Sequence, residues 1–182
     1  MKKTFFSGCT ALFLLASAQF ESNGETLEQQ LIRHEGFSAK AYPDRKGYSV
    51  GYGTRLTGTD AKKRLKKMGI NYHALIRKET SLTRKQAATL FYQDVTNART
   101  AAARLVPSYH HQPREVKDAV ANMIYNLGQA GFAEFVEVRN LLEKREYLSV
   151  ADEMRKSDWY KNPKTHYRAE ELRQQIEKQG KK

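Results

Sequence analysis

Residues 83–102 constrain the fold more than any other stretch of the chain. Thr83-Arg84-Lys85-Gln86 has the form of a capping box, in which a Thr hydroxyl and a Gln amide satisfy free backbone groups of a first helical turn. Ala87, Leu90, Phe91, Asp94, Val95, Ala98 and Ala102 then recur at helical spacing, and Pro107 stands just beyond the expected end. At 1.5 Å per residue such a helix runs to about 30 Å. That is long enough to tie two lobes together.

The flanking segments differ in kind. Upstream, Thr26-Leu27-Glu28-Gln29 is another capping box; Leu27, Leu31 and Ile32 supply an apolar stripe, and Gly36 is the expected stop. From Ala39 to Leu56 the pattern favours strands, through Tyr42, Tyr48, Val50 and Tyr52, with Pro43-Asp44 and Lys46-Gly47 marking turns. A small antiparallel sheet fits best. Downstream, residues 115–127, 135–142, 147–156 and 167–175 read as helices, and no internal repeat is apparent. The expected fold class is α+β, mainly helical. It has a small sheet lobe over about 36–82, a long connecting helix, and a helical C-terminal lobe over about 83–176 that the first helix joins.

Composition narrows the function. With 182 residues, 40% of them apolar, 29% charged and only four prolines, the chain can build a core and is neither collagen-like nor low-complexity. Its single cysteine, Cys9, excludes a disulfide framework and a cysteine-based zinc site. The five histidines show no metal-ligand pattern: His34-Glu35 begins an H-E-x-x-H run that no second His completes. No metal and no cofactor are expected. The formal charge of +12 suits a polyanion, whether nucleic acid, an anionic membrane face or a bacterial envelope, and suits a merely soluble basic surface equally well. One local cluster stands out, Lys62, Lys63, Arg64, Lys66 and Lys67. No zinc knuckle, basic zipper or aromatic sheet signature accompanies it, so no nucleic-acid partner is expected.

Residues 1–18 read as an address. Lys2-Lys3 precedes the apolar run Ala11-Leu12-Phe13-Leu14-Leu15, and Ala16-Ser17-Ala18 has the small-x-small form of a signal-peptidase site. The fifteen residues from Thr4 to Ala18 fall short of the roughly 20 that span a bilayer as a helix. A secretory signal cleaved after Ala18 is expected, with an uncleaved, tethering anchor as the alternative. Either sends the chain to the periplasm or the extracellular space. Cleavage removes two lysines and the only cysteine, leaving a mature chain with charge +10, a polar leader at 19–25 and a domain at 26–182.

Glu35, at the end of the first helix, and Asp44, nine positions later in the sheet region, are the first candidates for chemistry. Glycosidic hydrolysis needs a protonated acid beside the leaving oxygen and an ionised carboxylate across the sugar. A helix end and a following hairpin can present two such groups across a cleft. Spacing alone leaves them ordinary surface acids.

Their surroundings carry more. Leu31-Ile32-Arg33-His34-Glu35-Gly36-Phe37, Ala41-Tyr42-Pro43-Asp44 and Gly47-Tyr48-Ser49-Val50-Gly51-Tyr52-Gly53 together resemble the catalytic segment of the phage-type lysozymes, glycoside hydrolase family 24. Leu90-Phe91-Tyr92-Gln93-Asp94-Val95 is similar to the start of that family's interlobe helix. Asn122 to Gly128, with Gly131 and Phe135, resembles its central buried helix and following turn. Lys156-Ser157-Asp158-Trp159-Tyr160, then Arg168-Ala169, is similar to its C-terminal active-site edge. The four blocks keep the family's order and span roughly residues 27–176.

The resemblance implies a lysozyme-like two-lobe fold and a monomeric muramidase acting on peptidoglycan glycan strands within an anionic bacterial envelope. It implies Glu35 as general acid, Asp44 as the carboxylate that orients or activates water, and Ser49 where the family has a Thr that positions that water. A Ser hydroxyl offers the same donor and acceptor. The hairpin is one residue shorter than in the phage enzymes, however, and a one-residue change can turn a strand's side chains to the other face. Arg168 matches an arginine that pairs with the catalytic glutamate. Tyr125 and Asn126 match cleft positions that touch the glycan or the acid, Arg55 and Glu153 match other glycan-contact positions, and Trp159 is expected in the core. Thr54 stands where the family has His, which implies that a structural His–Asp ion pair is missing. The family's mechanism inverts the anomeric centre. The alternative that the short hairpin and Ser49 leave open is a catalytically weak or inactive wall-binding module.

Overall fold

The computed structural model describes residues 24–44 and 47–182. The expected signal and most of the polar leader lie outside the described residues. Helix α1 (Leu27–Glu35) starts at the Thr26 capping box, both of whose bonds form, and stops at Gly36, whose φ of 66° is costly for a side-chain-bearing residue. Strands β1 (Ser38–Asp44), β2 (Gly47–Gly51) and β3 (Thr54–Arg55) make one antiparallel sheet in the order β1-β2-β3. Helices α2 (Gly58–Lys67) and α3 (Tyr72–Ile76) complete the small lobe.

The connecting helix α4 (Arg84–Leu105) has the expected Thr83 capping box and is 22 residues long. A 3-10 turn over Pro107–His111 leads into α5 (Arg114–Ala133), α6 (Val136–Lys144), α7 (Tyr147–Lys156), α8 (Asp158–Lys161) and α9 (His166–Glu177). The architecture is the mainly helical, two-lobe α+β fold that the sequence pattern calls for.

Helix α4 joins the lobes by contributing to three apolar clusters in turn. Ala87 and Leu90 pack with Ala41, Val50, Leu56, Leu65, Leu75 and Leu82 in the small lobe. Phe91 and Val95 meet Leu27 and Leu31 of α1 at the waist. Ala98, Ala101 and Ala102 enter the large helical core around Met123, Phe132, Leu142 and Leu172. Removal of these side chains from water is the main force holding both lobes to one rod.

Several details depart from expectation. Pro43 and Asp44 lie in β1, paired with Tyr48 and Gly47, rather than in a turn. Proline is tolerated there because β1 is an edge strand that can spare an N–H. The helix expected over 115–127 extends to Ala133, with a break at Gly128 (φ 78°, ψ 161°). Helices α2, α3 and α8 lie where the sequence pattern announces no helix. In α2 only Ala61 and Leu65 are buried, too few to register as a stripe.

Candidate active site

Strand pairing decides what the sheet offers. Tyr42 pairs with Ser49, and Ser49 pairs in turn with Arg55. Directly paired residues share a face, as do residues two apart on a strand. Tyr42, Asp44, Ser49 and Arg55 therefore face one way, and all four line a cleft of about 890 Å³ between the lobes. Ala41, Val50 and Thr54 face the other way, into the lobe, and are buried. The shortened hairpin does not turn Ser49 out of the cleft. Its Oγ donates to Asp44 Oδ2 at 2.9 Å. An irregularity between Ser38 and Tyr42 shifts the pairing register farther from the turn.

Glu35 lines the same cleft from the last position of α1. Arg168, on α9 and buried, donates through Nη2 to Glu35 Oε1 at 2.7 Å. The other oxygen, Oε2, lies over Gly53. A Cβ added at Gly53 would stand 2.8 Å from it, and Gly53 has φ +85°. Glycine is thus required there for close approach and for backbone conformation alike. Tyr42 lies near both acids: burial, followed by the charges of Glu35 and Asp44, raises its phenol above the ordinary tyrosine range. Neither Tyr42 nor Gly53 was singled out from the sequence for a site role. Tyr42's place two residues before Asp44 on one strand was the available signal.

The remaining candidates form the other side. Tyr125 lines the cleft, but its hydroxyl donates to the Tyr52 carbonyl at 2.6 Å, joining α5 to the sheet lobe. Burial, then Asp94 and Glu35, pushes that phenol far up. It acts as a strut across the waist as well as a wall. Asn126 accepts through Oδ1 from Trp159 Nε1 at 2.9 Å, while its amide N–H groups have no protein partner among the described residues. Trp159 belongs to the large core, packs edge-on against Phe135, and also lines the cleft. Glu153 lines the cleft and pairs with Lys156. Arg55 is exposed at the cleft's edge. The structure thus brings Glu35, Asp44, Ser49, Arg55, Tyr125, Asn126 and Glu153 to one cleft, with Arg168 behind Glu35.

Thr54 also has a defined place. Its hydroxyl donates to Asp94 Oδ2 at 2.6 Å, and Arg64 Nη1 reaches Asp94 Oδ1 at 2.6 Å. Asp94 thus takes a hydrogen bond from Thr54 and a positive charge from Arg64 of α2. Burial still raises the Asp94 carboxyl above the usual carboxylate range, opposed by Thr54 and Arg64.

A helix-borne glutamate held by arginine and a sheet-borne Asp–Ser pair thus line one interlobe cleft. The phage lysozyme family model matches residues 32–177, and the chain belongs to that family. Among curated proteins it is similar to a probable T4-type lysozyme 2 of Dictyostelium discoideum, with 24% identity over 143 residues, covering 74% of this chain and 84% of that protein. Family membership implies a peptidoglycan substrate and supports a muramidase-like function.

Proposed function

We propose that the chain is an exported muramidase that hydrolyses the β-1,4 bond between N-acetylmuramic acid and N-acetylglucosamine with inversion at the anomeric carbon. The observation that carries this reading is the Asp44–Ser49 hydrogen bond in the cleft that Glu35 also lines. In this scheme Glu35 donates from Oε2, since Oε1 accepts from Arg168. As the bond from C1 to the bridging oxygen breaks, that proton passes to the leaving 4-oxygen of N-acetylglucosamine. A water oriented by Ser49 attacks C1 from the opposite face, and Asp44 takes its proton. Arg55, Asn126 and Glu153 are the glycan contacts in this scheme, and Tyr125 is a wall. Lys62, Lys63, Lys66 and Lys67 are all exposed and suit an anionic envelope, weakly and in a salt-dependent way.

Muropeptide analysis of digested peptidoglycan tests bond, stereochemistry and activity together. The wild type is expected to release products that end in the α-anomer of N-acetylmuramic acid, and Glu35→Gln to release none. A β-anomer or a 1,6-anhydro product overturns the mechanism. Equal activity in Glu35→Gln overturns catalysis by Glu35, and an inactive wild type that still binds walls points to a binding module. Export is tested by the N-terminus of the protein recovered outside the cytoplasm, expected at Gln19.

A further inference from the structure

The residue before the candidate acid is a histidine whose side chain is only 3% exposed. His34 Nε2 lies 2.9 Å from Glu171 Oε2, and Nδ1 lies 3.3 Å from the Asn122 amide nitrogen. Glu171 sits three residues after Arg168 on α9, on the same side of that helix. Two consecutive residues of α1 thus grip two residues one turn apart on α9: Glu35 to Arg168, and His34 to Glu171. We infer that the His34–Glu171 pair is a positioning device for Glu35, fixing the rotation of the end of α1 against α9 so that the acid meets both Arg168 and Gly53.

Terminal turns fray, and Glu35 is the last residue of α1. Gln30 and Arg33 tie the preceding turn to Glu171, and His34 carries that tie to the residue beside the acid, in its most buried form. The imidazole is itself held from two sides. Nε2 faces a carboxylate and therefore carries hydrogen, while Nδ1 accepts from Asn122 of α5. The same Asn122 amide donates to Gln30 Oε1 at 2.7 Å, and Gln30 Nε2 donates to Glu171 Oε1 at 3.0 Å. A closed ring of four side chains results, linking α1, α5 and α9. Arg33 adds two bonds to Glu171 from the solvent side and also holds Glu25. Asn122 Oδ1 is buried without a partner among the described residues, so the amide is spent on orienting His34 and Gln30 at a cost. Such an arrangement exceeds what apolar packing of α1 requires, since Leu27 and Leu31 already bury its core face.

The proposal rests on the muramidase reading, and its test separates the two. His34→Leu removes the Nε2 bond while leaving Glu171 to Arg33 and Gln30, and His34→Gln restores a donor at the same reach. Steady-state rates on solubilised glycan strands are expected to show kcat at least tenfold lower in His34→Leu with KM within twofold of the wild type. His34→Gln should lie within threefold of the wild type in both. Titration of the Glu35 carboxyl by 13C NMR, which needs no turnover, should show a displaced midpoint in His34→Leu and not in His34→Gln. Wild-type kcat and an unmoved midpoint in His34→Leu overturn the proposal, as does a His34→Gln variant that falls as far as His34→Leu. An inactive wild type overturns the muramidase reading alone, because the Glu35 titration still reports on the pair.

Discussion

Ser49 Oγ donates to Asp44 Oδ2 at 2.9 Å from the adjacent strand, although the two residues stand only five apart in the chain. The register makes this possible: Asp44 is two residues from Tyr42, the direct partner of Ser49, so the bond runs diagonally across one face. In the proposed mechanism the hydroxyl orients the attacking water against Asp44. Ser49→Ala is expected to lower kcat by about 10²-fold, at the lower end of what positioned acid–base groups contribute. Ser49→Thr restores the family's residue and should stay within a few-fold of the wild type. Initial rates on solubilised peptidoglycan measure both. A Ser49→Ala enzyme at full rate removes Ser49 from the mechanism.

Gly53 and Glu35 make a second prediction. A methyl at Gly53 meets Glu35 Oε2 at 2.8 Å and forces an L-residue to φ +85°. Strain of this kind costs on the order of 1–3 kcal/mol. Gly53→Ala should therefore lower the unfolding free energy by about that amount. It should also push the glutamate off its place, with a loss of kcat larger than the fall in folded fraction explains. Denaturant melts and rates measured on one preparation separate the two effects.

How much of this was legible from residues alone depends on distance in the chain. Both capping boxes announced their helices because Thr26 with Gln29, and Thr83 with Gln86, are local signals that the structure satisfies locally. Helix α2 is not legible as an apolar stripe, because Ala61 and Leu65 are its only buried residues and four lysines make up most of its exposed side. The Glu35–Arg168 pair spans 133 positions, and only a family resemblance could suggest it. The part played by Arg64 at Asp94 was hidden for the same reason: it looked like one more member of a basic cluster. A pattern reports which face a residue shares with its near neighbours. It does not report which distant helix that face meets.

The Thr54–Asp94–Arg64 unit is expected to matter for stability and little for chemistry. Thr54→Val keeps the shape but strips a donor from a carboxylate that burial already penalises. Leaving a buried polar group short of a partner costs about 1–3 kcal/mol. Thermal and denaturant unfolding should register that loss, while kcat of the folded enzyme stays within about twofold. A collapse of kcat at unchanged stability would contradict the assignment.

Acid sensitivity should arise on α9. Glu170 is held down to about 2, chiefly by its hydrogen bonds from Arg173, despite an opposing burial effect and with help from Tyr160 and Gln174. Its ordinary value is 4.5, so the folded state binds its proton less readily than the unfolded chain. The stability this provides is complete above about pH 4.5 and is lost as pH falls towards 2. A shift of that size corresponds to roughly 3 kcal/mol as an upper figure, and the partial exposure of the carboxyl reduces it. Glu170→Gln should be less stable than the wild type at pH 7, with the difference shrinking steadily between pH 4.5 and 2. Unfolding free energies from denaturant titrations across that range measure the slope. Glu171, also held at about 2, has burial working against bonds from His34, Arg33 and Gln30, and is expected to follow the same curve. Because Arg168 shares α9 with both carboxylates, acid that loosens this helix also loosens the partner of Glu35. Activity should then fall over the same window in which stability does, and a wild-type protein that loses stability there while keeping Glu35 chemistry intact would uncouple α9 from the site.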